Sequence, residues 1–238
     1  MTGLTYTTFV STVQNLAVIP AGDPNFATDL PSIIDDAELR CYRALDLLNT
    51  FTTATGTLAT ATRSFAIPST NGTFVVTESF NVITPAGTTN PDQGTRNALV
   101  PVSREVVNFL WPSSTGSTVP LYMAPLSQSA WLVAPWPDAA YTVEVVGTIR
   151  PSALSSSNVT TLLSVYFPDL LVAASMTRVA AYLKNYGAAV DDPKMGPTWD
   201  AHFMTLLQSA EVEENRKKFA SAAWSSKNPT PLATPARA

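Results

Sequence analysis

Hydrophobic periodicity changes twice along this chain of 238 residues, and each change limits what it can fold into. Over the first fifty residues apolar side chains recur every three to four positions. From Phe51 the spacing falls to two, with β-branched residues and frequent breakers, and after Pro151 the helical spacing returns. A helical period cannot settle as a strand, nor a period of two as a helix. The expected class is therefore α+β. Residues 1–50 and 151–220 read as helical, 51–150 as β-rich with short strands, and 221–238 as a tail with too few apolar side chains to order itself.

Within the first segment, Phe9, Val10, Val13, Leu16 and Ala17 place one helix over Tyr6 to Val18, broken by Pro20, Gly22 and Pro24. A second helix is expected from a cap at Thr28 or Asp29, with Pro31 in its first turn, to about residue 48. Asp35, Asp36, Glu38, Arg40, Arg43 and Asp46 fall mainly on its polar side. In the β segment, strands are expected at Arg63–Ile67, Thr73–Val76, Ser79–Ile83, Ala130–Val133 and Tyr141–Val146. Asn71-Gly72 marks a tight turn, Thr84–Asn97 an exposed loop, and Ser103 caps a short helix over Arg104–Leu110. After the Ser155–Asn158 linker, Pro168 opens a helix apolar on nearly all sides, which must be buried, stopped around Gly187. Asp191-Asp192-Pro193 then caps a last long helix carrying Trp199, Phe203, Leu206, Leu207 and Ala210, with Gly196-Pro197 delaying or kinking its first turn.

Charge follows the same divisions. Residues 1–50 carry two basic and six acidic side chains, net −4, whereas the hundred residues 51–150 hold only nine charges. The tail, with Lys227 and Arg237 and no acid, is the one net positive stretch. Arg63, Arg96, Arg104 and Arg150 are cancelled by Glu78, Asp92, Glu105, Asp138 and Glu144, so binding to nucleic acid by counterion release has little to draw on.

Two counts remove much of enzymology. One cysteine, Cys41, excludes an intramolecular disulfide, and one histidine, His202, excludes multi-histidine metal sites and histidine pairs. No nucleophile motif accompanies His202, so it reads as a surface or packing residue. Cys41 lies on an apolar helical stripe, where a thiol behaves as a small hydrophobe. The acidic pairs Asp35-Asp36 and Asp191-Asp192 lack the alternating oxygen spacing of a calcium loop. No enzymatic activity, cofactor or metal is expected. The first residues show no basic region followed by an apolar run, and the most apolar stretch, Leu170–Leu183, is interrupted by Arg178, so the expectation is a protein made in a cytoplasm with no membrane contact.

Several runs, taken in order, carry a resemblance. They are Thr5-Tyr6-Thr7-Thr8-Phe9-Val10, Pro31-Ser32-Ile33-Ile34-Asp35-Asp36-Ala37-Glu38-Leu39-Arg40, and Pro135-Trp136-Pro137-Asp138-Ala139-Ala140-Tyr141-Thr142-Val143. Arg150-Pro151, Tyr166-Phe167-Pro168-Asp169-Leu170-Leu171 and Asp191-Asp192-Pro193-Lys194-Met195 follow. Over about residues 4–220 the chain resembles the head-to-tail adaptor (connector, or tail-tubular) proteins of short-tailed bacteriophages. The resemblance implies a virion structural protein at the phage neck, in which residues 1–50 and 151–220 form a helical bundle domain, 51–150 an inserted antiparallel β-rich domain and 221–238 an extended C-terminal tail. It would be a homo-oligomeric ring, usually a dodecamer, between the portal protein and the tail nozzle protein, with genomic DNA passing through its lumen without specific binding. It also implies a C-terminal arm docked into the portal, which assigns a portal interface to Trp224, Lys227, Pro229 and Pro231, and to Leu232, Pro235 and Arg237. Gly196-Pro197 stands where such adaptors have uninterrupted helix.

Two other classes remain open from the residues alone. In a carbohydrate- or receptor-binding module on a helical stem, Trp111, Trp131 and Trp136 would be exposed platforms. A hydrolase would require His202 in catalysis.

Overall fold

The computed structural model describes residues 3–183 and 194–221. Helix α1 (Tyr6–Ala17) starts from a reciprocal cap: the Thr5 hydroxyl accepts the Thr8 amide at 3.3 Å, and the Thr5 amide donates to the Thr8 hydroxyl at 2.8 Å. It ends at Val18, whose left-handed φ of 55° reverses the chain. Helix α2 (Pro24–Ala44) begins a full turn earlier than the sequence predicts. Asp23, not Thr28 or Asp29, is its cap, accepting the Asn25 and Phe26 amides at 2.8 and 3.1 Å, and Pro24 takes the first position, where a missing N–H costs nothing. Pro31 thus lies inside the helix, on its exposed side. The helix also stops short of residue 48: Leu45 is extended and Leu48–Thr50 forms a 3-10 turn.

The chain then enters the β region with β1 (Phe51–Leu58), β2 (Ser64–Ala66), β3 (Thr73–Thr84), β4 (Thr95–Ala98) and β5 (Val100–Pro101). Helix α3 (Arg104–Leu110) follows, then β6 (Tyr122–Ser127), β7 (Ala130–Ala134) and β8 (Tyr141–Arg150). One sheet has the order β1-β8-β3-β4, antiparallel throughout, and the other the order β2-β7-β6-β5. The second is antiparallel except for a two-residue parallel pairing of β5 with β6. Leu58, Phe74, Phe80, Val143 and Val145 of the first sheet meet Phe65, Met123 and Val133 of the second in one core. A smaller cluster, Val107 of α3 with Ala124, Leu132 and Ala134, covers the second sheet's other face.

Three local expectations change here. Thr73–Val76 and Ser79–Ile83 belong to the single strand β3, which absorbs two register shifts against β8, between Phe74 and Val76 and between Thr77 and Ser79. Gly72 makes its turn with φ +138°, yet the strands on either side lie in different sheets, so no hairpin forms. The Thr84–Asn97 loop is partly ordered: Pro91–Gln93 is a 3-10 turn and Thr95 already pairs with Thr84.

The return segment leads to α4 (Leu162–Tyr166), α5 (Pro168–Tyr182) and α6 (Met195–Ser221). Helix α5 is the apolar-all-round helix and the most enclosed, with Leu170, Leu171, Ala173, Met176 and Val179 buried. It packs against α1, α2 and α6 in one core that includes Phe9, Val13, Phe26, Ile33, Ile34, Leu163 and Phe203. Gly196 and Pro197 fall within the first turn of α6, where proline is tolerated, and the helix continues for 27 residues. The expected Asp191-Asp192-Pro193 cap and the Gly187 stop lie outside the described residues.

Candidate interaction surfaces

The structure separates the two residue types that the sequence singles out as candidates for chemistry, His202 and Cys41. His202 is exposed on α6, its ring 5.8 Å from that of Trp199 in an edge contact. Cys41 is fully buried, and burial pushes its thiol up to about 12. No cluster of three His, Cys, Asp or Glu side chains suited to a metal ion occurs among the described residues.

The acids of α2 do not form one polar face. Asp35 and Asp36 are exposed, and Asp36 pairs with Arg178 of α5 at 2.9 Å. Glu38, expected on the polar side, is instead only 3% exposed. Its Oε1 accepts the Thr161 hydroxyl at 2.9 Å and the Leu154 amide at 3.4 Å, both from the segment that brings the chain back from the β region. Burial raises its carboxyl to about 7 despite those bonds, with Asp35 adding to the rise. The sequence signal was available, since Glu38 lies one position after Ala37 and three before Cys41 on the apolar stripe. Two further ion pairs reach α6 from the N-terminal segment, Arg40 of α2 to Asp200 and Asp46, just past α2, to Lys218, while Lys217 pairs with Glu213 and Glu214 within α6. Glu214 is itself buried and accepts the Leu48 amide at 3.0 Å.

The three tryptophans of the β region are engaged inside it. Trp131 lies 4.9 Å from Phe80, and Trp111 stacks on Tyr122 at 5.3 Å. Trp136 donates from Nε1 to the Trp111 carbonyl at 3.2 Å, while the Arg63 guanidinium covers its ring at 4.9 Å. Arg63 also donates to the Trp111 carbonyl and to Asn108, so the end of α3 is clamped to the turn before β8. All three are half-buried, so none is the fully exposed platform that a sugar-binding module would present. On the first sheet's outer side Arg96 donates two hydrogen bonds to Glu144, at 2.9 and 3.1 Å, and one to Asp92. Asn81 completes the shell of Glu144, whose carboxyl Arg96 holds below the usual value.

What remains open is surface. Helix α3 projects Val106, Phe109 and Leu110 outward, with Phe109 83% exposed. A cleft between the helical and β regions is walled by Tyr42, Arg43, Asp46, Val75, Val76 and Arg150. Exposed apolar residues grouped on one short helix mark a contact surface more than a solvated one.

The described residues form an α+β fold of helices and two sheets that leaves apolar side chains of α3 exposed. The sequence model of the SU10 adaptor proteins matches residues 4–230, and the chain belongs to that family of phage head-to-tail adaptors. No curated protein matches the chain. Four of the runs that carry the resemblance are joints of the fold: the α1 cap, the buried side of α2, the Trp136 turn into β8, where Tyr141 donates to Asp138 at 2.7 Å, and the α4–α5 junction. The family role is that of a structural component of the virion neck, and no helix among the described residues is long and apolar enough to cross a membrane.

Proposed function

We propose that this chain is the subunit of a ring, a dodecamer in the reading the resemblance implies, that joins the portal protein to the tail nozzle and surrounds the path of the ejected genome. The observation that carries the proposal is the family match over residues 4–230. The helical residues 1–50 and 151–220 form the portal-side domain, and residues 51–150 the domain that meets neighbouring copies and the nozzle. A segment with nine charges in a hundred residues supports large uncharged lateral faces, and the exposed α3 patch supports contact there. Heterologous contacts around a closed cycle generate such a ring.

The DNA passes without specific contact, repelled by a net charge of −4. That repulsion rests on the whole subunit and not on Asp35, Asp36 and Glu38, of which one is buried and one paired. The C-terminal arm, 221–238, docks into the portal through Trp224, Lys227, Pro229, Pro231, Leu232, Pro235 and Arg237. All seven lie outside the described residues, and their support is compositional: an aromatic anchor on a weakly basic, proline-rich segment. Deleting 221–238 is expected to leave the melting temperature unchanged and to weaken co-sedimentation with portal particles. Unchanged co-sedimentation refutes the assignment of the arm.

A further inference from the structure

The two sheets have four edge strands, and three of them are protected. β2 has three residues and is flanked by Arg63 and Pro68, β5 has two residues including Pro101, and β4 has four residues and carries Arg96. Short length, charge and proline are the means by which proteins keep sheet edges from pairing with other chains. β1 has none of them. It runs for eight residues in unbroken register with β8, and from Phe51 to Thr62 the sequence contains no charge and no proline. The Phe51 amide closes the preceding 3-10 turn onto Leu48. Among the described residues, the backbone of Thr52–Leu58 otherwise bonds only to β8, save for the Thr52 hydroxyl 3.5 Å from the Thr53 carbonyl. On the sheet's outer face, beside that open edge, Phe51, Thr53, Thr55 and Thr57 are exposed.

We propose that β1 is where one copy of this chain accepts another: an extended segment of a neighbouring subunit pairs along Thr52–Leu58 and adds a fifth strand to the β1-β8-β3-β4 sheet. The inference deepens the ring reading and rests on it. A partner of different charge would be selected by complementary ions, and β1 offers none. Copies that each carry −4 come together at least electrostatic cost through a stretch without charge. The chain's own last ten residues are a poor strand for this edge, because Pro229, Pro231 and Pro235 lack the amides that pairing uses. Main-chain hydrogen bonds then supply affinity, and the exposed threonines fix the register.

The test uses the full chain, alone and assembled with its portal protein. Thr53→Cys carrying a thiol-directed photocrosslinker, with Cys41 buried, is expected to give a product of two copies of this chain. Hydrogen exchange of the unmodified protein is expected to slow at the outward amides of 52–58 on assembly. Thr53→Lys with Thr57→Lys should keep the monomer's melting temperature and weaken self-association by about tenfold or more, whereas Thr95→Lys on the protected β4 edge should assemble like the parent. Cross-linking of β1 to a portal or nozzle peptide, unchanged exchange, or normal assembly of the lysine pair overturns the inference. Portal particles that bind the chain while β1 stays open to exchange overturn it and leave the adaptor reading standing. A chain that binds no portal yet self-associates through β1 does the reverse.

Discussion

Glu38 Oε1 accepts the Thr161 hydroxyl at 2.9 Å, tying the middle of α2 to the segment through which the chain returns from the β region. The Leu154 amide donates to the same oxygen at 3.4 Å, so Oε2 can take a proton without costing either bond. Burial favours the protonated form, and no cation accompanies these contacts.

That arrangement makes stability depend on pH. Folded, Glu38 keeps its proton up to about 7; unfolded, it releases it near 4.5. Between those values the folded state binds more protons, so this contribution is full below 4.5 and is lost as pH rises through 7. The gap corresponds to at most about 3 kcal/mol. Glu38→Gln keeps an acceptor for Thr161 and cannot titrate. Denaturant melts of the two proteins from pH 4 to 8 should show a decline in the parent that the variant lacks. Parallel curves would show that Glu38 does not titrate in that range.

Glu144 responds in the opposite direction. Its side chain is 9% exposed, and Arg96 holds its carboxyl below the ordinary 4.5. The stability it supplies is present above that value and is lost as pH falls through the lowered one. Arg96→Ala leaves this carboxylate with Asn81 alone. The variant's melting temperature should lie below the parent's at neutral pH, and the two should converge on acidification below 4.5. A difference that persists in acid would assign the loss to packing of the arginine stem.

The β3–β8 register shifts depend on a missing side chain. A Cβ on Gly147 would sit 2.2 Å from the Val76 carbonyl oxygen, a backbone atom that cannot move aside. Gly147→Ala should cost about 2 kcal/mol or more in urea unfolding. Gly116 offers the comparison: its φ is +87°, but nothing lies within 4 Å, so Gly116→Ala pays only for backbone strain, about 1 kcal/mol. Equal losses would mean that β3 shifts to accommodate the methyl.

Much of this architecture is legible in the sequence where the signal is local. Ser103 caps α3 as its spacing predicts, with its hydroxyl accepting the Val106 amide, and the apolar run after Pro168 is the buried α5. What is not legible depends on distant partners. Half of Phe51–Leu58 is threonine, so its hydropathy does not alternate, and it becomes a strand because β8 pairs with it. Thr95–Ala98 reads as loop until β3 supplies a neighbour. Glu38 reads as surface because its charge outweighs its position, and it takes Thr161 and Leu154, 123 and 116 residues away, to make the buried site tolerable. The contact surfaces are hardest to read, since Val106 and Phe109 look like the core side of a helix whose one fully buried residue is Val107.

Arg63 is the test of how α3 is held. It donates to the Trp111 carbonyl at 3.0 Å and to Asn108 at 2.9 Å while lying over Trp136, so a single side chain joins the end of α3 to the turn before β8. Arg63→Met keeps most of the apolar stem and removes the charge and both donors. The helix should loosen against the second sheet while the β core stays intact. Tryptophan emission should then shift to the red as Trp136 gains water, and amides of 104–110 should exchange faster while those of β8 do not. If α3 presents Phe109 to a neighbouring subunit, the same variant should also assemble less well than the parent. Unchanged emission and exchange would show that Val107 and its apolar neighbours hold the helix without the clamp.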